Sequence, residues 1–317
     1  MLSECIKMVK KIKFYNNFKV LNNHKKSILL IGNFDGLHLG HQKLFNLAKN
    51  YKKKFKLKIG VITFEPMPKM YFNKKLKNFR ISNNSQKINI LKDLGIDFLI
   101  IKKFDKEFSK IKSHNFIKQV LYKKLNAKYI FVSNNFRFGN NREGNVNQLI
   151  EYEKKYKYQI IKPKPFKLKN KTISSTYVRK LLFNGKLQMA NKLLKRNWSI
   201  EGVVEKGRQM GKVIGFPTCN IDIKDYVLAK PGVYAVKIYQ KNKIFSLKGI
   251  ANLGYRPTFK QKKILLEVHI FNFSGNLYNK RLTIEFINFI RKEKKFKNIN
   301  QLKKQINLDI RKAKKLN

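Results

Sequence analysis

Short, wholly apolar runs alternate with amphipathic stretches through the first half of the chain. Runs at Ile28–Ile31, Ile59–Phe64, Phe98–Ile101, Tyr129–Ser133 and Tyr158–Ile161 predict strands. Unbroken apolarity is what a parallel strand covered on both faces requires. Between the runs, Leu44, Leu47, Ala48 and Tyr51 recur at helical spacing. Ile88, Leu91 and Leu94 do the same and are ended by Gly95, a C-cap residue. A third helix carries Phe116, Ile117, Val120 and Leu121, with Ser113 expected as its N-cap. Strand and helix alternating at this spacing predict a doubly wound α/β domain.

The pattern changes near residue 185. Two short helices flank Gly185, one with Val178, Leu181 and Leu182, the next with Ala190, Leu193 and Leu194. After Trp198 the chain turns β-rich, with Val203, Val204, Tyr234, Val236 and Ile238 in short strands. Leu266, Val268 and Ile270 alternate with Glu267, His269 and Phe271, the two-residue period of a strand. Several short antiparallel strands punctuated by Gly and Pro predict a small closed β-barrel. A final helix presents Leu302, Ile306 and Ile310 on one face. The expected division is therefore 1–185, α/β, and 186–317, barrel plus helix.

At 317 residues the chain is long enough for two domains with their own cores. It carries 72 Lys plus Arg against 18 Asp plus Glu, a formal charge of +54. Such charge suits a nucleic acid or an anionic membrane. Yet Lys exceeds Arg about six-fold and the charges are spread along the whole chain, whereas specific readout favours Arg. The abundance of Lys, Asn, Ile and Phe together matches drift in an A+T-rich genome. No specific nucleic-acid partner is expected, although the basic surface attracts phosphates at long range. Cys5 and Cys219 form no C-x-x-C pair or disulfide ladder, which points to a reducing compartment. No apolar run reaches membrane-spanning length, and MLSECIKMVKKIKFYNN lacks a signal-peptide core. A cytoplasmic protein with no membrane partner is expected; composition is silent on oligomeric state.

The string GNFDGLHLGH, residues 32–41, follows the first apolar run and opens the first helix. Gly32 and Gly36 let backbone approach a phosphate, and a helix N-terminus offers free N–H groups. His38 and His41, three apart, fall on one side of a helical turn. Their imidazoles suit donation to a phosphoryl group as charge develops; a metal pair or two structural histidines are the plainer readings. The chain has no Walker A sequence. Downstream, ISST-x-x-R at Ile173–Arg179 offers hydroxyls, a helix N-terminus and a guanidinium, or simply an N-cap. In GRQMGKVIGFPTCN, residues 207–220, Gly207, Gly211 and Gly215 permit a mobile loop and Lys212 adds charge. Thr218 and Asn220 supply the hard oxygens that Mg²⁺ accepts. Glu267 points away from the apolar face of its strand. It reads as a solvated residue or as a base within reach of a hydroxyl.

These strings resemble, in order, those of bifunctional prokaryotic riboflavin kinase/FAD synthetases. The N-terminal set is the H-x-G-H signature of nucleotidylyltransferases, TFEP at Thr63–Pro66, NFRFG at Asn135–Gly139, REG at Arg142–Gly144 and ISST-x-x-R. The C-terminal set is G-x-P-T-x-N, with Cys219 where the family usually has Ala, then PGVYAV at Pro231–Val236 and NLGYRPTF at Asn252–Phe259. LEVHIFNF at Leu266–Phe273 and R-x-E-x-x-F at Arg291–Phe296 complete it. Met67 and Ser133 depart from the family pattern, which has His and Gly there. The resemblance implies a Rossmann-like nucleotidylyltransferase domain and a riboflavin kinase barrel. Riboflavin is phosphorylated to FMN, and FMN is adenylylated to FAD, with ATP as co-substrate and Mg²⁺ as cofactor. It assigns ATP to Gly32, Asn33, Phe34, Asp35 and Gly36, and transition-state stabilisation to His38 and His41. Pyrophosphate falls to Ser174, Ser175, Thr176 and Arg179, and the kinase nucleotide to the loop residues with Mg²⁺ on Thr218 and Asn220. Glu267 is the implied base; Asn135 and Arg291 are the implied flavin contacts. Two alternatives stay open: a kinase whose adenylyltransferase site is weakened at Met67 and Ser133, and a non-enzymatic basic nucleic-acid-binding protein.

Overall fold

A computed structural model describes residues 12–207, 210–240, 246–257 and 262–316. Cys5, and the motif residues Arg208, Gln209, Thr258 and Phe259, lie outside the described residues. The chain divides into two compact units. One holds the described residues up to Lys75 together with Ser85–Thr172; the other holds Leu76–Asn84 together with Ile173 onward.

The first unit is built on a six-stranded parallel sheet. Its strands are β1 (Lys13–Tyr15), β2 (Ile28–Ile31), β3 (Ile59–Glu65), β4 (Phe98–Lys103), β5 (Tyr129–Phe131) and β6 (Gln159–Ile161), in the order β1-β4-β3-β2-β5-β6. The apolar runs are buried on both sides, as their composition requires. Ile28 and Leu30 pack with Phe45 and Ala48 of helix α1 (Leu39–Phe55). Leu29 and Ile31 pack on the opposite face with Phe116, Ile117 and Leu121 of α3 (Phe116–Lys124), which is wound as a π-helix, and with Val146 and Leu149 of α4 (Val146–Glu151). Helix α2 (Asn84–Asp93) ends as expected before Gly95, whose φ of 73° is left-handed. Two expectations need correcting. Ser113 is not an N-cap: it is buried, and its own N–H donates to the Glu143 carboxylate. The apolar run at Tyr129 forms a strand only as far as Phe131. Edge strand β1 escapes the sequence pattern because it is short and its residues are half-buried or exposed.

The second unit contains a closed antiparallel barrel. Its strands are β7 (Ser199–Glu205), β8 (Cys219–Asp222), β9 (Gly232–Gln240), β10 (Leu247–Pro257), β11 (Lys262–Ile270) and β12 (Arg281–Arg291), in the order β7-β8-β11-β10-β9-β12. Pairing of Ser199–Val203 with Arg281–Glu285 closes the ring. Two-residue alternation drives Ile200, Ile221, Tyr234, Val236, Leu266, Val268, Ile284 and Phe286 into burial. On the other side of β9, Val233 and Ala235 pack with Ala313 and Ile310 of the final helix α7 (Ile299–Leu316). Helices α5 (Ser175–Phe183) and α6 (Leu187–Leu194) belong to this unit.

So does the segment Leu76–Asn84, which lies far upstream in sequence. The N–H groups of Phe79 and Arg80 donate to Asp225 O at 2.7 and 2.8 Å, and Val227 N–H donates to Arg80 O at 2.7 Å. The Trp198 indole N–H donates to Ile81 O at 2.9 Å, and Ile81 is fully buried.

Candidate active site

Strand β2 runs directly into the turn Gly32–Leu37 and then α1. Phe34 and Leu37 sit at φ 48° and 42°, in the left-handed region that ordinary residues avoid. Such residues cost about 1–3 kcal/mol each and persist only where packing over-determines them. Here the Phe34 ring and the Leu37 side chain are locked in the core beneath α1. Phe34 can therefore offer a nucleotide only its backbone. Asp35 is buried and Asn33 is exposed. The first N–H groups of α1 have no partner further up the helix, the arrangement that receives a phosphate.

His38 and His41 stack with ring centroids 3.8 Å apart and 19° between planes. Phe34 meets His41 edge-on at 5.3 Å. Burial, then the neighbouring His38, holds His41 well below the ordinary histidine range. Its Nδ1 is shielded from solvent and has no hydrogen-bond partner among the described residues. Two rings this close do not both carry charge readily. A residue not singled out from the sequence stands behind the turn. Lys87 on α2 is 3% exposed. Its Nζ donates to Thr63 Oγ1 at 3.3 Å, and that hydroxyl donates to Asn33 O at 3.4 Å. Its signal was a lysine four before Leu91, on the apolar face.

The turn after β2 and the loop after β5 leave adjacent strands at their carboxyl ends, where the strand order reverses, the usual ligand position in such sheets. Asn135 lies in the second loop, exposed, and accepts from Ser133 Oγ at 2.9 Å. Met67 is 2% exposed and fills core at the end of β3. The ISST residues sit in the second unit. Ser174 Oγ caps α5 by accepting from Tyr177 N at 3.2 Å; Ser175 is half-buried and Thr176 exposed. Arg179 Nε donates to Phe79 O at 2.7 Å, and its guanidinium lies 3.7 Å from the Phe79 ring centre.

In the barrel, register assembles the second set. Glu267 on β11 is paired with Asn220 on β8 and with Asn252 on β10. Directly paired residues share a face, and Leu266 and Val268 occupy the other, buried one. Asn220, Glu267 and Asn252 thus form a row across three strands. Asn220 is buried, and its Oδ1 has no hydrogen-bond partner among the described residues. A Cβ at Gly207 would overlap Asn220 Nδ2 and force that amide to shift, and Gly211 lies close to Thr218 Oγ1. Gly207, Gly211, Thr218, Asn220 and Glu267 are therefore brought together. Lys212 is exposed on the helical turn Met210–Val213, and Gly215 follows with φ 88°.

Arg291 is engaged by the final helix: its Nε donates to Asp309 Oδ1 and Oδ2 at 3.0 and 2.9 Å, and Nη2 lies 2.7 Å from Oδ2. Asp309 is 1% exposed, so the pair fastens α7 to β12. Beyond it lies Glu293, the glutamate of the R-x-E-x-x-F string, to which the sequence assigned no role. Its carboxylate rests on Gly254 and accepts from the Asn252 amide. Burial raises the Glu293 pKa, the Glu267 charge adds to this, and Arg291 and Asn252 oppose it. Among the described residues no group of three His, Cys, Asp or Glu side chains could hold a metal. Thr218 and Asn220 instead present a hydroxyl and an amide oxygen, a partial set that phosphate oxygens would complete for a hard cation. The unpartnered Asn220 Oδ1 fits that use. No helix among the described residues is long and apolar enough to cross a membrane.

Comparison with known proteins matches both halves. The FAD synthetase family model matches residues 20–177 and the riboflavin kinase family model matches residues 194–317. A bifunctional riboflavin kinase/FMN adenylyltransferase of Buchnera aphidicola subsp. Schizaphis graminum is 39% identical, covering 97% of this chain and 98% of the relative. The protein of the same name from Escherichia coli is 34% identical over 89% of this chain and 90% of its own. A crystal structure named as a macrolide-efflux protein from Streptococcus pneumoniae superposes with a TM-score of 0.84 at 27% identity, covering 95% of this chain and 98% of that one. With both halves matched in order and identity sustained along almost its whole length, the chain belongs to the bifunctional riboflavin kinase/FMN adenylyltransferase family.

Proposed function

We propose that the barrel site carries the kinase step and the Gly32–His41 site the adenylyl transfer, with the residues above in those roles. The chain is a two-step flavin-cofactor enzyme. It converts riboflavin and ATP to FMN and ADP, then FMN and ATP to FAD and pyrophosphate. The observation that carries the assignment is the pairing of Asn220 with Glu267, which sets a phosphate-side oxygen ligand beside a carboxylate base. In the kinase step Glu267 accepts the proton of the ribityl hydroxyl as it attacks the terminal phosphoryl group of ATP. The glycine loop from Gly207 to Gly215, with Lys212, covers the phosphates. Thr218 and Asn220 would hold Mg²⁺, which when bound neutralises phosphate charge.

In the adenylyl step the FMN phosphate attacks the α-phosphorus of ATP and pyrophosphate leaves. His38 and His41 donate to the oxygens on which charge grows, and the turn backbone from Gly32 to Gly36 seats the nucleotide. Ser174, Ser175, Thr176 and Arg179 serve the departing pyrophosphate, as the family resemblance implies. Asn135 serves the flavin side of this step, and Arg291 serves the flavin of the kinase step. Function divides at residue 185, while Leu76–Asn84 and Ile173–Gly185 brace the kinase unit. The enzyme works in the cytoplasm on small molecules, with no specific nucleic-acid partner.

The test is a time course of purified protein with riboflavin, ATP and Mg²⁺, the flavins being separated. Glu267→Gln should make no FMN, a loss of about 10²–10⁴-fold, yet still convert supplied FMN to FAD. His41→Ala should accumulate FMN with FAD formation down roughly 10²–10³-fold. FAD at the parental rate from His41→Ala would remove that histidine from the mechanism, and FMN at the parental rate from Glu267→Gln would remove that base.

A further inference from the structure

The row across the barrel does not stop at the base. Asn220 flanks Glu267 on one side, and Asn252 flanks it on the other. Asn220 packs against Gly207. Asn252 packs differently: Glu293, reaching back from beyond β12, lays its carboxylate on Gly254 and takes a hydrogen bond from the Asn252 amide. A side chain at residue 254 would displace that carboxylate. A carboxylate only accepts, so it dictates which end of the Asn252 amide faces it and which is left for other partners. Glu267 is paired with Asn252, and Glu293 meets the same Asn252, which places both carboxylates at one locus.

We propose that Asn252 and Glu293 are a positioning pair of the kinase site, in which Glu293 orients the Asn252 amide beside Glu267 so that the attacking hydroxyl is held against the base. This rests on Glu267 being that base. Glu293 acts through Asn252, so the two should not contribute independently.

The test uses the full-length protein with Asn252→Ala, Glu293→Ala, Glu293→Gln and the double alanine variant. Kinase kcat and the KM for riboflavin are measured, with adenylylation of supplied FMN as the folding control. Expected is a fall in kinase kcat of roughly tenfold for either alanine variant, the size of one lost hydrogen bond. The double variant should be no slower than Asn252→Ala. Glu293→Gln, which keeps an acceptor oxygen, should recover most of the rate, and FAD formation should stay parental. Parental kcat in Glu293→Ala, multiplicative losses in the double variant, or a Glu293→Gln as slow as alanine would each overturn the pair. Glu267→Gln is run alongside. If it is inactive while the other variants are parental, only the positioning pair fails; if it is itself parental, the base assignment fails first.

Discussion

Ile81→Ala tests the claim that a segment from the first half of the chain is part of the kinase unit. Ile81 lies well inside the stretch matched by the FAD synthetase family, yet it is fully buried in the second unit, and its carbonyl receives the Trp198 indole N–H. Truncating a fully buried Ile to Ala costs about 2–5 kcal/mol, the lost transfer energy plus the cavity left behind. With a urea dependence near 2 kcal/mol per molar, the midpoint should fall by roughly 1–2.5 M. The reporter is built in: Trp198 is the single tryptophan of the chain, 1% exposed and packed on Phe286 with centroids 4.6 Å apart. Its fluorescence therefore follows the second unit. Amide exchange supplies the other half of the experiment. Protection should drop in β7 and β12 and hold in β2, β3 and β4. A Trp198 transition at the parental urea concentration would refute the reasoning, as would a loss of protection falling on the parallel sheet.

Further outcomes follow from the same geometry. Asn220→Ala and Thr218→Ala should raise the Mg-ATP concentration needed by the kinase step alone; an unchanged saturation curve in titrations of Mg-ATP would exclude their nucleotide role. His24 stacks on Phe98 at 4.5 Å and shares a hydrogen bond with Tyr15 at 2.7 Å. Burial, with Lys58 and Lys13, lowers its pKa below the usual 6.5 against the pull of Asp97. The unfolded chain therefore takes up this proton first, so stability is intact above about pH 6.5 and is lost as pH falls toward the folded value. His24→Gln should flatten the decline of stability between pH 7 and 5, and an unchanged slope in denaturation at stepped pH would discount it. Generic duplex DNA should bind by charge alone and release steeply with salt; a sequence-selective complex at physiological salt in a mobility assay would contradict this.

Much of the architecture was legible along the chain because it is written in local periodicity. Ile28–Ile31 is apolar at every position, so only a strand covered on both faces satisfies it. Leu266, Val268 and Ile270 alternate with Glu267 and His269, and burial follows that alternation. The glycine-rich strings marked where backbone comes close, and Gly207 against Asn220 is such a place. What stayed hidden depends on partners distant in sequence. Nothing near Ile81 announces that Trp198 needs its carbonyl, and nothing near Ser113 announces Glu143. Arg179 and Arg291 look alike as free cations in the sequence, but Phe79 and Asp309 engage them. Lys87 and Glu293 acquired their places only when a helix and a strand end came to rest beside Thr63 and Asn252. A side chain's period tells which face of its own element it occupies. Which group waits on that face is decided by contacts across the fold, whose energies are comparable to the local preferences but carry no local mark.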